Sequence, residues 1–490
     1  MEILLSKYSE NHQYSEGHNV VNEKLNITSD LNIDKAVHRS ASAQKYIVNV
    51  SESLLNNILE KISERVNERC RYFAEQTVLQ TNMGNVEHKI HKIGLVCNDV
   101  SKHLQTISTT GRLNVLQGCS SQVCFLQESV AEYASPVKVI FAVIPATNPV
   151  PNSLFKILHA LKTRNSLILS YPRSCIKLAC ELLSTVQSVL KEHELPKDLV
   201  QLVPLPSDRV QVNKFMSHPN VDLVLATGGS ALVKAAYRSG NPAYGVGPGN
   251  VPALIYPDAD LKQAAESIVI SKSYDNGIIC GAESNLVVAE TISAKFVVSL
   301  ENSHAAVLSA DEKKKALDTW FKDGALSRDV IGRHARVLAK IAGIKRDYDI
   351  QVLVIPVNKQ EEHCLCKEKL APILSLIECK QPAMLETALN LLAIQGEGHS
   401  ASIFSSSEEI IEAFANTIPA GRLLVNTPAT FGMMGVSTDL PLSFMLGSGT
   451  WGGNLTTEAI TWRHFVNIKR LARGTHNIQL SQHSNKNMRR

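Results

Sequence analysis

The sequence has no run of about 18 consecutive apolar residues, the length that suggests a membrane span. Its first residues, MEILLSKYSENHQYSEGHNVV, lack a cationic start followed by a long apolar core, so a secretory signal is not expected. One-sided charge is missing too. The 50 basic and 46 acidic residues leave a formal net charge of +4, too small an excess to point to nucleic acid. No CxxC pair occurs among the ten cysteines, which are Cys70, Cys97, Cys119, Cys124, Cys175, Cys180, Cys280, Cys364, Cys366 and Cys379. The one close pair, HCLC at 363 to 366, has no second half, so no metal site is expected. Thiols scattered in this way through a chain without a signal read as free cysteines in a reducing cytoplasm. No repeat of fixed period is found.

What is there reads as a soluble globular α/β protein. The 490 residues, 44% hydrophobic and 20% charged, imply two or three domains. Residues 1–40 are polar and read as a flexible extension, with 474–490 as a polar tail. Over 52–80, Leu55, Leu59, Ile62, Val66 and Phe73 recur at helical steps, which predicts one long amphipathic helix with a packing role. From 137 the pattern alternates. VKVIFAVIP, SLILSYP, LVQLVPLP and VDLVLATGG read as buried strands, with helical segments between them. VPALIY, NLVVA, IQVLVIP and ILSLIEC continue the series. Such alternation predicts parallel sheets, which bind ligands at the carboxyl ends of their strands.

Several short segments can carry chemistry, and each also has a bland reading. TGGSALVKAA, 227–236, follows a strand and opens a helix. Thr227, Gly228, Gly229 and Ser230 suit a pyrophosphate at a helix N-terminus, or form a plain turn capped by Ser230. GVGPGN, 245–250, precedes a strand and so is not a dinucleotide fingerprint; glycines such as Gly247 let a tight loop approach a site. Asn148 in ATNPVPN follows the first strand, where an amide can donate to an oxyanion or simply make a turn. His399 in GEGHS can exchange protons in a cleft, or lie on the surface. Glu368 in KEKLAP reads by itself as a solvated glutamate, and LGSGTWGGNLTTE, with Trp451, as a loop needing close backbone approach. Cys280 follows the turn-forming run DNG in SYDNGIIC.

The order of PATNP, ALKTRNSLI, TGGSALVKAAY, GVGPGN, SYDNGIIC, KEKLAP, GEGHSASIF, RLLVNTPA and GSGTWGGN resembles the aldehyde dehydrogenase superfamily. Within it, the resemblance is to the CoA-acylating branch, which includes the aldehyde dehydrogenase part of bifunctional aldehyde–alcohol dehydrogenases and stand-alone acylating relatives. It extends from about 50 to 473. It implies a Rossmann-like NAD-binding lobe over 41–275 with a return segment at 441–473, a catalytic lobe over 276–440 carrying Cys280, and a small oligomerisation element. It makes Cys280 the nucleophile and Asn148 an oxyanion donor, helped by the Cys280 backbone N–H. It gives His399 the CoA thiol proton and Glu368 the nicotinamide ribose. Thr227, Gly228, Gly229 and Ser230 fall where the cofactor pyrophosphate meets a helix.

The thiolate would attack an aldehyde, hydride would leave for the nicotinamide, and the acyl-enzyme would await a nucleophile. Hydrolytic members use a glutamate in the loop matching 245–250 to activate water. Here GVGPGN holds no carboxylate, so CoA is the expected acceptor. The cofactor-side stretch LILSYPRSC looks one residue shorter than in near relatives but keeps Arg173, which could meet the adenosine ribose or a phosphate. NAD is expected, with NADP the alternative. The partners expected are a short aldehyde and CoA, with no membrane or nucleic acid. Acetaldehyde, sulfoacetaldehyde, succinate semialdehyde and propanal or butanal all fit. A homodimer or homotetramer is expected, a filament being the further option. With no alcohol dehydrogenase domain after 490, product should pass to a separate partner. The polar N-terminus as a microcompartment-targeting peptide is a minority reading. Two rival readings remain: a hydrolytic dehydrogenase drawing its base from Glu397 or Glu283, and a non-catalytic assembly subunit of the same fold.

Overall fold

The structure is a computed structural model and describes residues 20–113, 130–204, 208–357 and 364–474. Residues 1–19, Cys119, Cys124, His363 of HCLC and the tail from 475 lie outside it. The alternating segments form two parallel sheets. The first has five strands: β1 (Val139–Val143), β2 (Ser166–Ser170), β3 (Val200–Leu202), β4 (Leu223–Thr227) and β5 (Ala243–Val246), in the spatial order β3-β2-β1-β4-β5. The second has seven: β6 (Val251–Ile255), β7 (Glu283–Ala289), β8 (Ala305–Val307), β9 (Val352–Pro356), β10 (Ile373–Cys379), β11 (Ala401–Phe404) and β12 (Leu423–Val425), ordered β8-β9-β10-β7-β6-β11-β12. Every pairing within these two sheets is parallel. Strands 139–143 and 283–289 run deep in their sheets and are almost wholly buried, as continuous apolar runs require.

The lobe boundary differs from the expected one. GVGPGN begins inside β5, and the four residues 247–250 join the last strand of one sheet to β6 of the other. The change of lobe therefore falls there and not at 275. β6 and the helix Leu261–Ser273 belong with Cys280. The direct join puts a glycine-rich loop at the carboxyl edge of the first sheet and the amino edge of the second.

The N-terminal reading also needs correction. From Val20 to Ile47 the chain is one helix. Ile33, Ala36 and Val37 are buried against Val139, Phe141 and Ile168 of the first sheet. Ser40 donates to Ser166 Oγ at 2.9 Å and Gln44 to the Arg164 carbonyl at 3.0 Å. A helix that buries small residues and hydroxyls leaves a weak apolar stripe, so its composition imitates a solvated tail. The helix expected over 52–80 is two, Glu52–Glu68 and Cys70–Thr81, broken at Arg69. Leu55, Leu59, Ile62, Val66 and Phe73 are all fully buried against the first lobe. A third, antiparallel sheet of Gly111–Arg112, Val130–Pro136 and Val466–Ala472 had no strand signal in the sequence reading. The return of the chain is visible in the core, where Met445, Ile460, Trp462 and Phe465 pack with the first lobe.

Candidate active site

Cys280 is aimed by a tight turn. The helix Leu261–Ser273 ends, and Asp275, Asn276 and Gly277 follow with φ of 47°, 55° and 69°. Three successive left-handed residues explain DNG: only Asp, Asn and Gly enter that region at low cost. The turn is pinned from outside. Asn276 Nδ2 donates to the carbonyls of Gly84 and Gly332, both at 2.9 Å. Asp275 accepts from the Asn85 backbone N–H at 2.7 Å and from Lys89 Nζ at 3.0 Å, and it also accepts from Lys92. These lysines hold its buried carboxyl below the usual range against the opposing effect of burial. The chain then passes through Cys280 into β7, in the middle of the second sheet.

Cys280 is half-buried and free. Burial pushes its thiol up to about 12, with the Glu368 carboxylate adding to the rise and Arg422 opposing it. The GPGN loop presses on it from the side. A Cβ on Gly249 would lie 1.8 Å from the Cys280 carbonyl oxygen and 3.6 Å from Glu368 Oε1, so only glycine fits. Gly249 N–H donates to Glu368 Oε1 at 2.9 Å, and burial pushes that carboxyl up to about 7. Asn250 anchors the loop, donating to the Cys366 and Leu391 carbonyls at 2.8 and 3.0 Å. Of the rival bases, Glu397 is exposed, while Glu283 is buried and accepts from the Ala429 N–H at 2.9 Å. The carboxylate beside the thiol is Glu368.

Asn148 lies between β1 and the helix Pro149–Lys162. Its side chain makes no cap and instead accepts, through Oδ1, from buried Lys92. His399 is buried, with 1% exposure, and so does not project into solvent. Its Nδ1 lies 3.1 Å from Ser400 Oγ, while Nε2 is buried without a hydrogen-bond partner. Burial pushes the imidazole down to about 3. Arg422 donates to the His399 carbonyl and, at 2.9 Å, to the Thr457 carbonyl. Burial lowers this guanidinium to about 10. A Cβ on Gly398 would sit 1.8 Å from the Ser448 carbonyl, so GEGHS and GSGTWGGN form one packed unit.

At the carboxyl edge of the first sheet, β4 leads into the helix Ser230–Tyr237. Gly229, not Ser230, is the cap residue, and no side chain among the described residues caps the helix start. A Cβ on Gly229 or Gly247 would meet nothing within 4 Å, so there is space in front of this helix start. Open N–H groups and a clear approach fit the pyrophosphate of a dinucleotide. Lys156 lies behind, donating to the Val143 carbonyl at 3.1 Å and to Thr227 Oγ1 at 3.2 Å. Arg173 is exposed, in the short turn Arg173–Cys175 just after β2. No cluster of metal ligands occurs among the described residues, and no described helix is long and apolar enough to cross a membrane.

Lys89, Lys92 and Arg422 were given no role in the sequence reading. Lysines three apart on a helix normally read as a solvated face, and nothing local says that both are buried on one aspartate.

The aldehyde dehydrogenase family profile matches residues 13–438, and the chain belongs to that family. It is 30% identical over 448 residues to the succinate-semialdehyde dehydrogenase (acetylating) of Clostridium kluyveri, covering 91% of this chain and 96% of that protein. It is 32% identical over 469 residues to aldehyde-alcohol dehydrogenase 2 of Entamoeba histolytica, covering 92% of this chain but only 52% of the longer relative. The crystal structure of an acetylating aldehyde dehydrogenase from Geobacillus thermoglucosidasius superposes with a TM-score of 0.85 at 34% identity, over 93% of this chain and 99% of that one.

Proposed function

We propose that this protein is an NAD-dependent, CoA-acylating aldehyde dehydrogenase: aldehyde, CoA and NAD give acyl-CoA, NADH and a proton, reversibly. The observation that carries the reading is the loop at 247–250. It presses on Cys280, holds no carboxylate, and engages the nearby Glu368 through the Gly249 N–H. The names of the relatives, acetylating enzymes and an aldehyde-alcohol dehydrogenase, support it.

In this reading Cys280 gives up its thiol proton, the one released in the overall reaction, and its Sγ bonds to the aldehyde carbon. The amide of Asn148 and the Cys280 backbone N–H donate to the oxyanion as it forms. The nicotinamide cofactor, when bound, accepts the hydride. Cys280 is then left as an acyl thioester. The thiol of CoA loses its proton to His399 Nε2 and attacks the acyl carbon; the bond to Cys280 breaks, acyl-CoA leaves, and the proton passes from His399 to restore the Cys280 thiol. His399 is neutral at working pH, so with Nδ1–H donating to Ser400 its Nε2 lone pair is available. Its low basicity means that it holds the proton only beside the thiolate it creates. Because Nε2 is buried, the covering side chains must yield to the incoming thiol.

The five-stranded lobe, with its return segment, would hold the cofactor. Thr227, Gly228, Gly229 and Ser230 would take the pyrophosphate, Arg173 the adenosine side, and Glu368 the nicotinamide ribose, with Gly247 leaving room. NADP is the alternative cofactor. Acetaldehyde or another short aldehyde such as sulfoacetaldehyde is the substrate class. A cytoplasmic homodimer or homotetramer is the setting. The test is NADH formation from acetaldehyde, a sulfonated aldehyde and a carboxylated aldehyde, with and without CoA, in wild type and Cys280→Ala. CoA-dependent turnover that vanishes in the variant is expected. Equal NADH without CoA, with free acid accumulating, would make the enzyme hydrolytic.

A further inference from the structure

We propose that Lys92 is a positioning residue for the oxyanion site: it sets which end of the Asn148 amide meets the substrate and ties that amide to the turn carrying Cys280. The inference rests on the oxyanion role proposed above for Asn148. Lys92, on the helix Val86–Gly94, is fully buried. Its ammonium donates to two acceptors, Asp275 and Asn148 Oδ1. An ammonium has protons and no lone pair. The end of the amide facing Lys92 must therefore be the oxygen, which turns the Nδ2 protons away from Lys92 and leaves them for the substrate. An amide free to flip would spend time presenting oxygen to a developing oxyanion, which repels it. Lys89 grips the same segment from the adjoining residue, donating to the Thr147 carbonyl at 3.3 Å and to Asp275 at 3.0 Å. The strand end bearing Asn148 and the turn bearing Cys280 are thus linked through one carboxylate and two amines. One negative charge faces two positive ones, so the cluster retains positive charge beside Asn148, where negative charge would develop.

The experiment is a double-variant cycle read by the rate of the first NADH turnover with acetaldehyde. The four proteins are wild type, Asn148→Ala, Lys92→Met and the double variant. Asn148→Ala should slow that turnover about 10²–10³-fold, the usual loss for one oxyanion donor. Lys92→Met should slow it by about tenfold or more, with the Kd for NAD unchanged. The double variant should be no slower than Asn148→Ala alone, because a residue that acts only through Asn148 has nothing left to orient. Lys92→Met leaves Asp275 paired with Lys89 and the Asn85 N–H. It is therefore expected to fold, as thermal melting will report. If it does not, Lys92→Gln, neutral but still a donor, takes its place in the cycle, and its loss should be smaller than that of the Asn148 variant. Multiplicative losses in the double variant, or full activity in the Lys92 variant, overturn the inference. Full activity in Asn148→Ala overturns the oxyanion reading itself.

Discussion

Glu368→Gln isolates the electrostatics of the nucleophile. The change keeps an oxygen that can accept from Gly249 N–H and removes one negative charge beside Cys280. A unit charge roughly 6 Å away in an effective dielectric of about 20 is worth about 3 kcal/mol, or about two pKa units. Where Glu368 is ionised, removing its charge lowers the thiol pKa and raises the thiolate fraction about 100-fold as long as the pH stays below that pKa. A less basic thiolate is also a poorer nucleophile, with a Brønsted slope of about 0.45, which takes back roughly eightfold. The net expectation is labelling of Cys280 by iodoacetamide about tenfold faster in the variant. The pH dependence carries the sign. Below pH 6 the wild-type Glu368, raised to about 7, is already protonated, and the two proteins should label at similar rates. The gap should open as pH rises through about 7 and be complete near pH 8.5. Peptide mapping assigns the label to Cys280 among the other thiols. Equal rates at pH 8.5, or a gap of constant size from pH 5.5 to 8.5, would refute the reasoning.

His399→Ala should leave the single-turnover release of NADH within about threefold of wild type while steady-state acyl transfer to CoA falls about 10²-fold or more, the scale of a lost general base; rapid-quench separation of the two steps checks it, and equal slowing removes the assignment. Gly249→Ala would place a methyl 1.8 Å from the Cys280 carbonyl oxygen. Such overpacking costs about 1–3 kcal/mol, so a lower Tm is expected, together with loss of turnover as the loop and Cys280 are pushed apart. A variant with wild-type melting and wild-type rate would show that the loop yields freely.

Much of the fold was legible because buried parallel strands advertise themselves. VKVIFAVIP, SLILSYP and ILSLIEC are apolar on both faces and became strands within a residue or two. The helix Val20–Ile47 was not legible. It buries small and hydroxylic residues on one side, and Ser40 meets Ser166 far along the chain. The lobe boundary was missed because a four-residue connection between two sheets has the same composition as one within a sheet. For the candidate site, the motifs named Cys280, Asn148, His399 and Glu368. They did not give the surroundings: Lys92 and Asp275 are far apart in sequence and meet only because a helix before the first sheet packs on a turn of the second lobe.

From its residues alone, this protein is an α/β chain with a family order of motifs, a cysteine after a turn-forming run, and a glycine loop that holds no carboxylate. Covalent sequence carries these because turn chemistry, strand patterning and the presence or absence of a side chain are local. Tertiary structure decided the rest. It buried His399 with one nitrogen unpartnered, set Glu368 against the thiol, and turned the Asn148 amide by a lysine. Protonation and amide orientation depend on solvent exclusion and on neighbours brought from distant segments, and these exist only once the chain has folded.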